Sequence, residues 1–279
     1  RAEILSWIPE LTGIINQAEV TIDDELLALA PKLRIVANVA LGIDNLNLKL
    51  LSERKIWGTN TPNAFGDSTA DFTLAMILAV TRRVCSADAY VKSGQWKSFQ
   101  PGVWDGDLLS GRTLGIVGYG RIGEGVARRA RGFGMKIIFH RRTRIDDPGY
   151  RELDDLLKEA DIVSLHTPLS KETEKLISRE RLALMKPEAY LVNMARGRVV
   201  DQEALIEALK AGRLRGAALD VFEEEPNVPT ELFQMDNVVL TPHIGGGSRE
   251  CRFSARHLCA ANIAAVLDGK PPLTPVNSW

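Results

Sequence analysis

Short apolar runs alternate with amphipathic stretches through the second and longer part of the chain. The runs are rich in β-branched residues, as buried strands are, and the stretches between them, such as Asp201–Ala211, have helical spacing. The predicted strands are Thr113–Val117, Ile137–Phe139, Asp161–His166, Ala189–Met194, Gly216–Val221 and Val238–Leu240. Alternating strands and helices predict an α/β fold with a doubly wound parallel sheet that has helices on both faces.

A smaller α/β unit is predicted before this sheet. Its elements are the strands Glu3–Ile8, Arg34–Ala40 and Lys55–Asn60, a helix opened by the capping box Thr21–Asp24, and a helix over Leu46–Arg54. Pro62 follows the third strand and cannot donate a hydrogen bond to a ladder, which indicates a domain boundary.

Two helices and one irregular segment complete the predicted organisation. Asp67, Ser68 or Thr69 is expected to cap a helix reaching about Lys92. The glycine- and tryptophan-rich segment at 94–111 is long for a connection, so we expect an arm that packs on a second subunit. A last helix, about Ser248–Leu267, is expected to return to the first domain. Residues 1–62 and 248–279 would then form one domain, and residues 63–247 the other.

Composition favours a small-molecule partner. The chain has 279 residues, more than the roughly 100–200 of one domain, and its net charge of −1 with interspersed signs indicates neither nucleic acid nor an anionic membrane. Three cysteines without a CxxC pair favour a reducing cytoplasm. No metal-spaced His/Cys cluster, apolar run of membrane-spanning length or signal peptide is visible.

A glycine turn follows the strand Thr113–Val117. Gly118, Gly120 and Gly123 have GxGxxG spacing before a predicted helix over Glu124–Arg131. The first glycine would allow a tight turn, the second a close approach of the backbone to a pyrophosphate, and the third close packing of helix and strand. This setting predicts a Rossmann dinucleotide site.

The end of the next strand bears on the choice of cofactor. An NAD site usually has Asp or Glu about 20 residues after the glycines, but here Ile137–Phe139 runs into His140, Arg141, Arg142 and Thr143. Guanidinium groups match a 2′-phosphate, so the pair of arginines favours NADP(H), with NAD(H) possible. The alternative is that both arginines are ordinary solvated loop residues.

Polar residues follow three of the predicted strands, and the carboxyl ends of parallel strands meet at one edge. Arg196 can hold a carboxylate and polarise a carbonyl. Reduction of a ketone leaves an alkoxide that needs a proton, and His243 is suited to give one near neutral pH. Glu225 would stabilise the charged imidazole. Taken singly, each residue has an ordinary structural explanation, but together they predict a catalytic site.

The motifs GYGRIG, VNMARGRVVD, ALDVFEEEP and TPHIGG resemble, in this order, those of the D-isomer-specific 2-hydroxyacid dehydrogenase family. The similarity covers nearly the whole chain and is closest to glyoxylate and hydroxypyruvate reductases, with bacterial 2-ketogluconate reductases close behind. It implies a homodimer with a Rossmann cofactor domain and a smaller, flavodoxin-like α/β substrate domain.

The resemblance also assigns residues. It places the catalytic triad on Arg196, Glu225 and His243, and the substrate carboxylate on the backbone of Ala40, Leu41 and Gly42. Beyond the glycines and the Arg141–Thr143 loop, the cofactor contacts that it implies fall on Arg121, Ile122, Thr167, Met194, Ala195, Arg196, Asp220, His243 and Gly245. Family members usually begin with a further strand and helix, which this chain is expected to lack, and the loop after Arg144 is expected to be shorter than usual.

These observations favour an NADPH-dependent reductase that converts glyoxylate or hydroxypyruvate to the D-2-hydroxyacid. A 2-ketogluconate reductase or another D-2-hydroxyacid dehydrogenase is the alternative within the family. A dinucleotide-sensing corepressor without catalysis is a second class, and a hydrolase or lyase that merely contains a bound cofactor is a third.

Overall fold

The computed structural model describes residues 6–279, whose contacts divide into two compact units. One unit runs as far as Ser68 and includes Gly246–Trp279, and the other is Thr69–Gly245. The α/β class is confirmed: each unit is built on a parallel sheet, with three strands in the smaller unit and six in the larger. No helix among residues 6–279 is both long and apolar enough to cross a membrane.

The smaller unit begins with alternating strands and short helices. They are β1 Gly13–Asn16, α1 Asp24–Ala28, β2 Ile35–Asn38, α2 Leu48–Glu53 and β3 Trp57–Thr59, and the strands pair in the order β1-β2-β3. Val36 of β2 belongs to a buried cluster with Leu26, Leu27 and Leu51 from the two helices. Its neighbour Ala37 belongs instead to a cluster that includes Cys259 of the last helix of the chain. Helices therefore cover both faces of this small sheet.

Two predictions for the smaller unit are wrong. The expected strand Glu3–Ile8 lies partly outside the described residues, and at its described end Ile8–Glu10 is a 3-10 helix. Pro9 explains the difference, because its fixed φ and missing N–H suit a first helical turn and not a ladder. The cap of α1 is Asp23 and not Thr21: a carboxylate oxygen of Asp23 accepts from the Leu26 N–H at 3.0 Å.

The larger unit contains the long parallel sheet. Its elements are α3 Gly66–Thr81, whose first residues precede the division, α4 Val84–Lys92, β4 Thr113–Val117, α5 Arg121–Gly132, β5 Lys136–His140, α6 Leu153–Glu159, β6 Ile162–Leu165, α7 Arg179–Leu184, β7 Tyr190–Asn193, α8 Gln202–Lys210, β8 Gly216–Leu219 and β9 Val238–Leu240. The strand order is β5-β4-β6-β7-β8-β9. The chain passes from β4 to β5 on one side of it and then to β6 on the other side. The topological switch point, where the strand order reverses and ligands usually bind, therefore lies between β4 and β6.

Alternate residues of these strands enter two separate cores. Ile116 and Val192 pack with Met76 of α3 and Val126 of α5 on one face. On the other face, neighbouring strand residues such as Val117 and Leu191 pack with Leu156, Leu157 and Leu205 from α6 and α8. Strands buried on both faces read as continuous apolar runs, which is why the sequence identified them.

The predicted helix from Asp67 to Lys92 is two helices. It begins at Gly66, so Asp67 lies in the first turn of α3, and it breaks at Arg83, whose φ is +52°. The carbonyl of Thr81 accepts from the Asp107 N–H at 2.9 Å, and a Cβ on Gly106 would lie 2.4 Å from that same oxygen. The end of the 94–111 segment thus takes the carbonyl group that a continuing helix would use.

The last helix, α9 Arg249–Leu267, belongs to the smaller unit and contacts β1 and β2. Ser248 caps it by accepting from the Cys251 N–H at 3.3 Å, and Gly269, at φ +79°, follows its end. Beyond the helix, the backbone N–H groups of Leu273 and Thr274 donate to the side chain of Asn262, a fully buried residue within α9. The C-terminal segment is thereby fixed to the small unit.

Candidate active site

The glycine turn between β4 and α5 has the geometry that a dinucleotide site requires. Gly118 has a φ of +96°, and a Cβ there would lie 2.7 Å from the backbone of His166 and Thr167, which follow β6. A Cβ on Gly123 would lie 2.4 Å from the Gly118 carbonyl oxygen, whereas one on Gly120 meets no atom within 4 Å. Gly118 and Gly123 are therefore needed for packing, and Gly120 leaves the turn open toward a ligand.

The helix after this turn starts earlier than predicted. Gly120 is the N-cap of α5, so Arg121 and Ile122 form its first turn in place of a start at Glu124. The N–H groups of a first turn have no intrahelical acceptor, and together with the helix dipole they favour a phosphate. This arrangement fits a cofactor pyrophosphate held by backbone groups.

Two buried polar atoms at the switch point have no hydrogen-bond partner among residues 6–279. They are Oγ1 of Thr167 and Nδ1 of His166. The other ring nitrogen of His166 lies 2.8 Å from the hydroxyl of Ser164, and burial lowers the pKa of this imidazole to about 3, so it is neutral. Buried polar groups are nearly always paired, so orphans at the carboxyl ends of strands fit a site that a dinucleotide completes.

The basic loop follows β5 at the edge of the sheet. Arg141 is partly buried, and Arg142 and Thr143 are exposed. The pKa of Glu172 is lowered chiefly by the hydrogen bond from Ser170, with a smaller contribution from the charge of Arg142. His140, which precedes this loop, accepts through its carbonyl from the Gly118 N–H at 2.9 Å, so the loop begins beside the glycine turn.

Asn193, at the end of β7, shapes the turn that carries Arg196. Its amide accepts from the Ala195 N–H at 3.0 Å and donates to the Arg196 carbonyl at 3.0 Å, with 1% of the residue exposed. Met194 and Ala195 are buried within this turn, and the Arg196 guanidinium donates to the Ala195 carbonyl at 2.8 Å. Asn193 was not predicted as a site residue, although an asparagine at the end of a buried strand is a signal for such a turn.

Asp220, after β8, holds the loop that carries His243. One carboxylate oxygen accepts from the Thr241 hydroxyl at 2.6 Å and from the Ile244 N–H at 2.8 Å, and the other accepts from the Gly245 N–H at 2.8 Å. Only 2% of Asp220 is exposed. Asp220 therefore anchors this loop through both of its carboxylate oxygens, and its contact with the cofactor stays a prediction.

The imidazole of His243 and the carboxylate of Glu225 form a direct pair. His243 Nδ1 lies 2.7 Å from Glu225 Oε2, and Glu225 Oε1 accepts from the Phe222 N–H at 3.0 Å. His243 has a left-handed φ of +53°, and its N–H donates to the Asp220 carbonyl at 2.9 Å. Because an ionised carboxylate only accepts, Nδ1 carries the proton of this bond, and Nε2 is left for a reacting group.

Electrostatics keeps Glu225 ionised. Burial acts to raise its pKa, but the hydrogen bond and charge of His243, the Phe222 N–H and the charge of Arg196 together outweigh burial, so the pKa lies below its ordinary value. Arg196, Glu225 and His243 are therefore electrostatically coupled across loops that follow β7, β8 and β9. An anion receptor, a carboxylate and an imidazole are the groups that reduction of a 2-oxoacid needs.

The smaller unit contains the predicted carboxylate-binding backbone. Ala40, Leu41 and Gly42 lie just beyond β2, at the carboxyl end of its sheet. Ala40 and Gly42 are partly buried, and 43% of Leu41 is exposed. Three polar side chains donate hydrogen bonds to carbonyls of this loop: Asn38, Asn60 and Thr61. They were not predicted as site residues, because polar residues at strand ends are common.

Comparison with known proteins defines the class. Residues 74–245 match the model of the D-isomer specific 2-hydroxyacid dehydrogenase NAD binding domain. The chain belongs to the D-isomer specific 2-hydroxyacid dehydrogenase family, and the predicted resemblance is confirmed.

Three similar proteins show which members of the family this chain resembles. The chain is 47% identical to a glyoxylate reductase from Thermococcus litoralis, with 99% of this chain and 87% of the relative covered. It is similar to a crystal structure of a protein from Thermus thermophilus, with 46% identity, a TM-score of 0.94, and coverage of 99% and 89%. An NADPH-dependent glyoxylate/hydroxypyruvate reductase from Sinorhizobium meliloti, solved with NADP and malonate, has 33% identity, a TM-score of 0.87, and coverage of 97% and 85%.

Proposed function

We propose that this chain reduces glyoxylate or hydroxypyruvate to the corresponding D-2-hydroxyacid, with a nicotinamide cofactor as the hydride donor. The observation that carries the proposal is the 2.7 Å pair of His243 and Glu225 in the unit that contains the open glycine turn. The identity to glyoxylate reductases supports the choice of substrate. Other 2-oxoacids such as 2-ketogluconate share the carboxylate and ketone and remain the alternative.

Each residue of the predicted triad has a separate task. Arg196 binds the substrate through its carboxylate and polarises the ketone. The cofactor supplies the hydride that reduces the carbonyl carbon. Imidazolium Nε2 of His243 then donates its proton to the carbonyl oxygen, and the neutral ring keeps the proton on Nδ1 toward Glu225. In the direction of oxidation, the same nitrogen takes the hydroxyl proton.

Glu225 supports this proton transfer by fixing the ring of His243. Its lowered pKa keeps it anionic well below pH 7, so Oε2 accepts from Nδ1 and leaves Nε2 to face the substrate. Its second oxygen is fixed by the Phe222 N–H, so the carboxylate also orients the ring. We therefore assign Glu225 as a positioning and electrostatic partner and His243 as the acid.

We further propose that NADP(H) is preferred over NAD(H). Support comes from Arg141 and Arg142, which follow β5 where an NAD site would have a carboxylate, and from the NADP bound in the Sinorhizobium meliloti relative. The family model itself is described as NAD binding, so use of NAD(H) at lower efficiency is expected.

The chain is also proposed to form a homodimer through α4 and the 94–111 arm. Val91, Trp96 and Phe99 are 51%, 57% and 83% exposed, and they line a cavity of about 310 Å³ together with Trp104. Large aromatic side chains exposed in one patch mark an interface with another chain. Light scattering tests this proposal: we expect a dimer that Phe99→Asp converts to a monomer, and a monomeric wild type would contradict it.

The function is tested by loss of NADPH absorbance at 340 nm with glyoxylate. His243→Ala should lower the rate by about 10²-fold or more, the contribution typical of a general acid, while the Kd for NADPH changes little. Absence of turnover by the wild type with any short 2-oxoacid would refute the proposed function, and an active His243→Ala variant would refute the assignment of the acid.

A further inference from the structure

The loop at Ala40–Gly42 has an unusual distribution of hydrogen bonds. Every carbonyl in it is engaged within the smaller unit. The Ala40 carbonyl accepts from the N–H of Thr61 at 2.9 Å and from its hydroxyl at 3.1 Å. The Leu41 carbonyl accepts from the Asn60 amide at 2.9 Å, and the Gly42 carbonyl accepts from the Asn38 amide at 3.4 Å, the weakest of the four.

The N–H groups show the opposite pattern. Within residues 6–279, no acceptor is found for the backbone N–H of Leu41, Gly42 or Ile43. Backbone donors require a partner, so these three are satisfied by water or by a ligand. Successive N–H groups that lack protein acceptors form a receptor for an anion without any charged side chain.

The two patterns are linked by the planarity of the peptide bond. In a trans peptide the carbonyl oxygen of one residue and the N–H of the next point in opposite directions from one rigid plane. Thr61, by holding the Ala40 carbonyl, therefore fixes the direction of the Leu41 N–H. Asn60, by holding the Leu41 carbonyl, fixes the direction of the Gly42 N–H.

We propose that Asn60 and Thr61 are positioning residues for the substrate carboxylate, acting by locking two peptide planes so that the Leu41 and Gly42 N–H groups converge on it. This inference rests on the proposed function, and it assigns a task to two side chains that need not touch the substrate. It also explains why the loop needs no lysine or arginine of its own.

Both positioning residues are themselves held in place. Thr61 is fully buried. The Asn60 carbonyl accepts from the Thr274 hydroxyl at 2.7 Å, and that hydroxyl accepts from the buried Asn262 of α9 at 3.0 Å. A continuous chain of hydrogen bonds thus runs from α9 through the C-terminal segment to Asn60 and then to the loop. Preorganised donors bind an anion better than mobile ones, because less ordering is required on binding.

The effect on catalysis follows from what the loop binds. A carboxylate is present in the substrate and in the transition state, so a receptor for it contributes equally to both. Loosening the receptor should therefore raise KM and leave kcat nearly unchanged. A loss of kcat alone would indicate a different role.

The test compares Asn60→Ala and Thr61→Val with the wild type. For Asn60→Ala we expect the KM for glyoxylate and the inhibition constant of oxalate to rise together by about tenfold, with kcat within about twofold and an unchanged Kd for NADPH. Thr61→Val should show a smaller rise, since the Thr61 N–H still holds Ala40, and Thr61→Ser should restore the wild-type values.

Asn277→Ala is the matched control. The Asn277 amide accepts from the Gly58 N–H at 2.7 Å and donates to the Ile56 carbonyl at 2.9 Å, so it fixes backbone in the same unit without contacting the 40–42 loop. It should lower the melting temperature and leave the glyoxylate KM unchanged. Wild-type KM and oxalate inhibition in Asn60→Ala, or an equal rise in Asn277→Ala, would overturn the inference.

Direct calorimetry of oxalate binding to the NADPH-loaded protein separates this inference from the proposed function. If the wild type fails to turn over glyoxylate but binds oxalate more tightly than Asn60→Ala does, the proposed function fails and the positioning role stands. If glyoxylate is reduced but the two proteins bind oxalate equally, the positioning role fails alone.

Discussion

Replacing Gly197 by alanine should disrupt the contact between two loops that carry site residues. Gly197 directly follows Arg196, and its Cα faces the backbone of the loop that leads to Glu225. A Cβ at this position would lie 1.8 Å from the Phe222 carbonyl carbon, 2.0 Å from its oxygen and 2.3 Å from the Glu223 nitrogen. All three are backbone atoms, so no side chain can rotate away, and one loop must move by roughly 1.5 Å to restore ordinary contact.

The size of the effect follows from that displacement. Overpacking costs about 1–3 kcal/mol, and we expect the upper end because the backbone must shift. For a domain of this size, 3 kcal/mol corresponds to a fall of about 6–12 °C in melting temperature. A shift of about 1 Å between catalytic groups lowers rates by about 10²-fold, so kcat/KM for glyoxylate should fall by that factor in the fraction that remains folded.

Thermal unfolding and initial rates at 340 nm measure the two effects. Gly132→Ala is the matched control, because a Cβ there has no atom within 4 Å and the residue ends α5. It should retain wild-type activity and leave the melting temperature equal or slightly raised. A Gly197→Ala variant with wild-type melting temperature and kcat/KM would refute the inference that backbone contact at Gly197 sets the spacing of Arg196 and Glu225.

Three further substitutions test individual contacts. Glu225→Gln should lower kcat/KM by about 10²-fold, because glutamine has one acceptor oxygen and cannot accept from both Nδ1 of His243 and the Phe222 N–H, and because it has no negative charge. Since the pKa of Glu225 is lowered on folding, its contribution to stability is present above the ordinary value of 4.5 and is lost as the pH falls, so urea unfolding of the two proteins should converge in acid. Asp220→Asn should destabilise by about 1–3 kcal/mol, since one oxygen that accepts from the His243 loop becomes a donor; an unchanged unfolding midpoint would contradict this. Replacing both Arg141 and Arg142 by serine should raise the KM for NADPH by about tenfold or more and leave that for NADH nearly unchanged, whereas parallel changes would argue against a phosphate site.

The sequence predicted the large unit well because its strands are buried on both faces. Runs such as Tyr190–Asn193 are buried at every position, so they appear in the sequence as continuous apolar stretches. They are also too short for a buried helix, which leaves a strand as the prediction. The glycine turn could also be predicted from the sequence, since Gly118 and Gly123 occupy positions where any side chain would collide with the backbone. Long-range contacts escaped prediction: α3 ends at Thr81 because Asp107, distant in sequence, takes its carbonyl.

The candidate site also contains residues that the sequence predicts and residues that only the folded structure reveals. Arg196, Glu225 and His243 were selected from chemistry and position after strands, and the structure pairs the last two directly. The supports of these residues were not selected, because Asn193, Asn60 and Thr61 act through backbone carbonyls and N–H groups whose directions depend on the folded loops. Asp220 was selected as a cofactor contact, but its role as anchor of the His243 loop became visible only from its three hydrogen bonds.

The most direct measurement is a set of initial rates for glyoxylate and hydroxypyruvate, each with NADPH and with NADH, on the purified chain. We predict turnover of both oxoacids, with kcat/KM at least about tenfold higher with NADPH, the factor expected from one charge-assisted contact to the 2′-phosphate. Equal or faster rates with NADH would contradict the role of Arg141 and Arg142. Absence of turnover with either cofactor would contradict the proposal that His243 and Glu225 form the proton-transfer pair of a 2-oxoacid reductase.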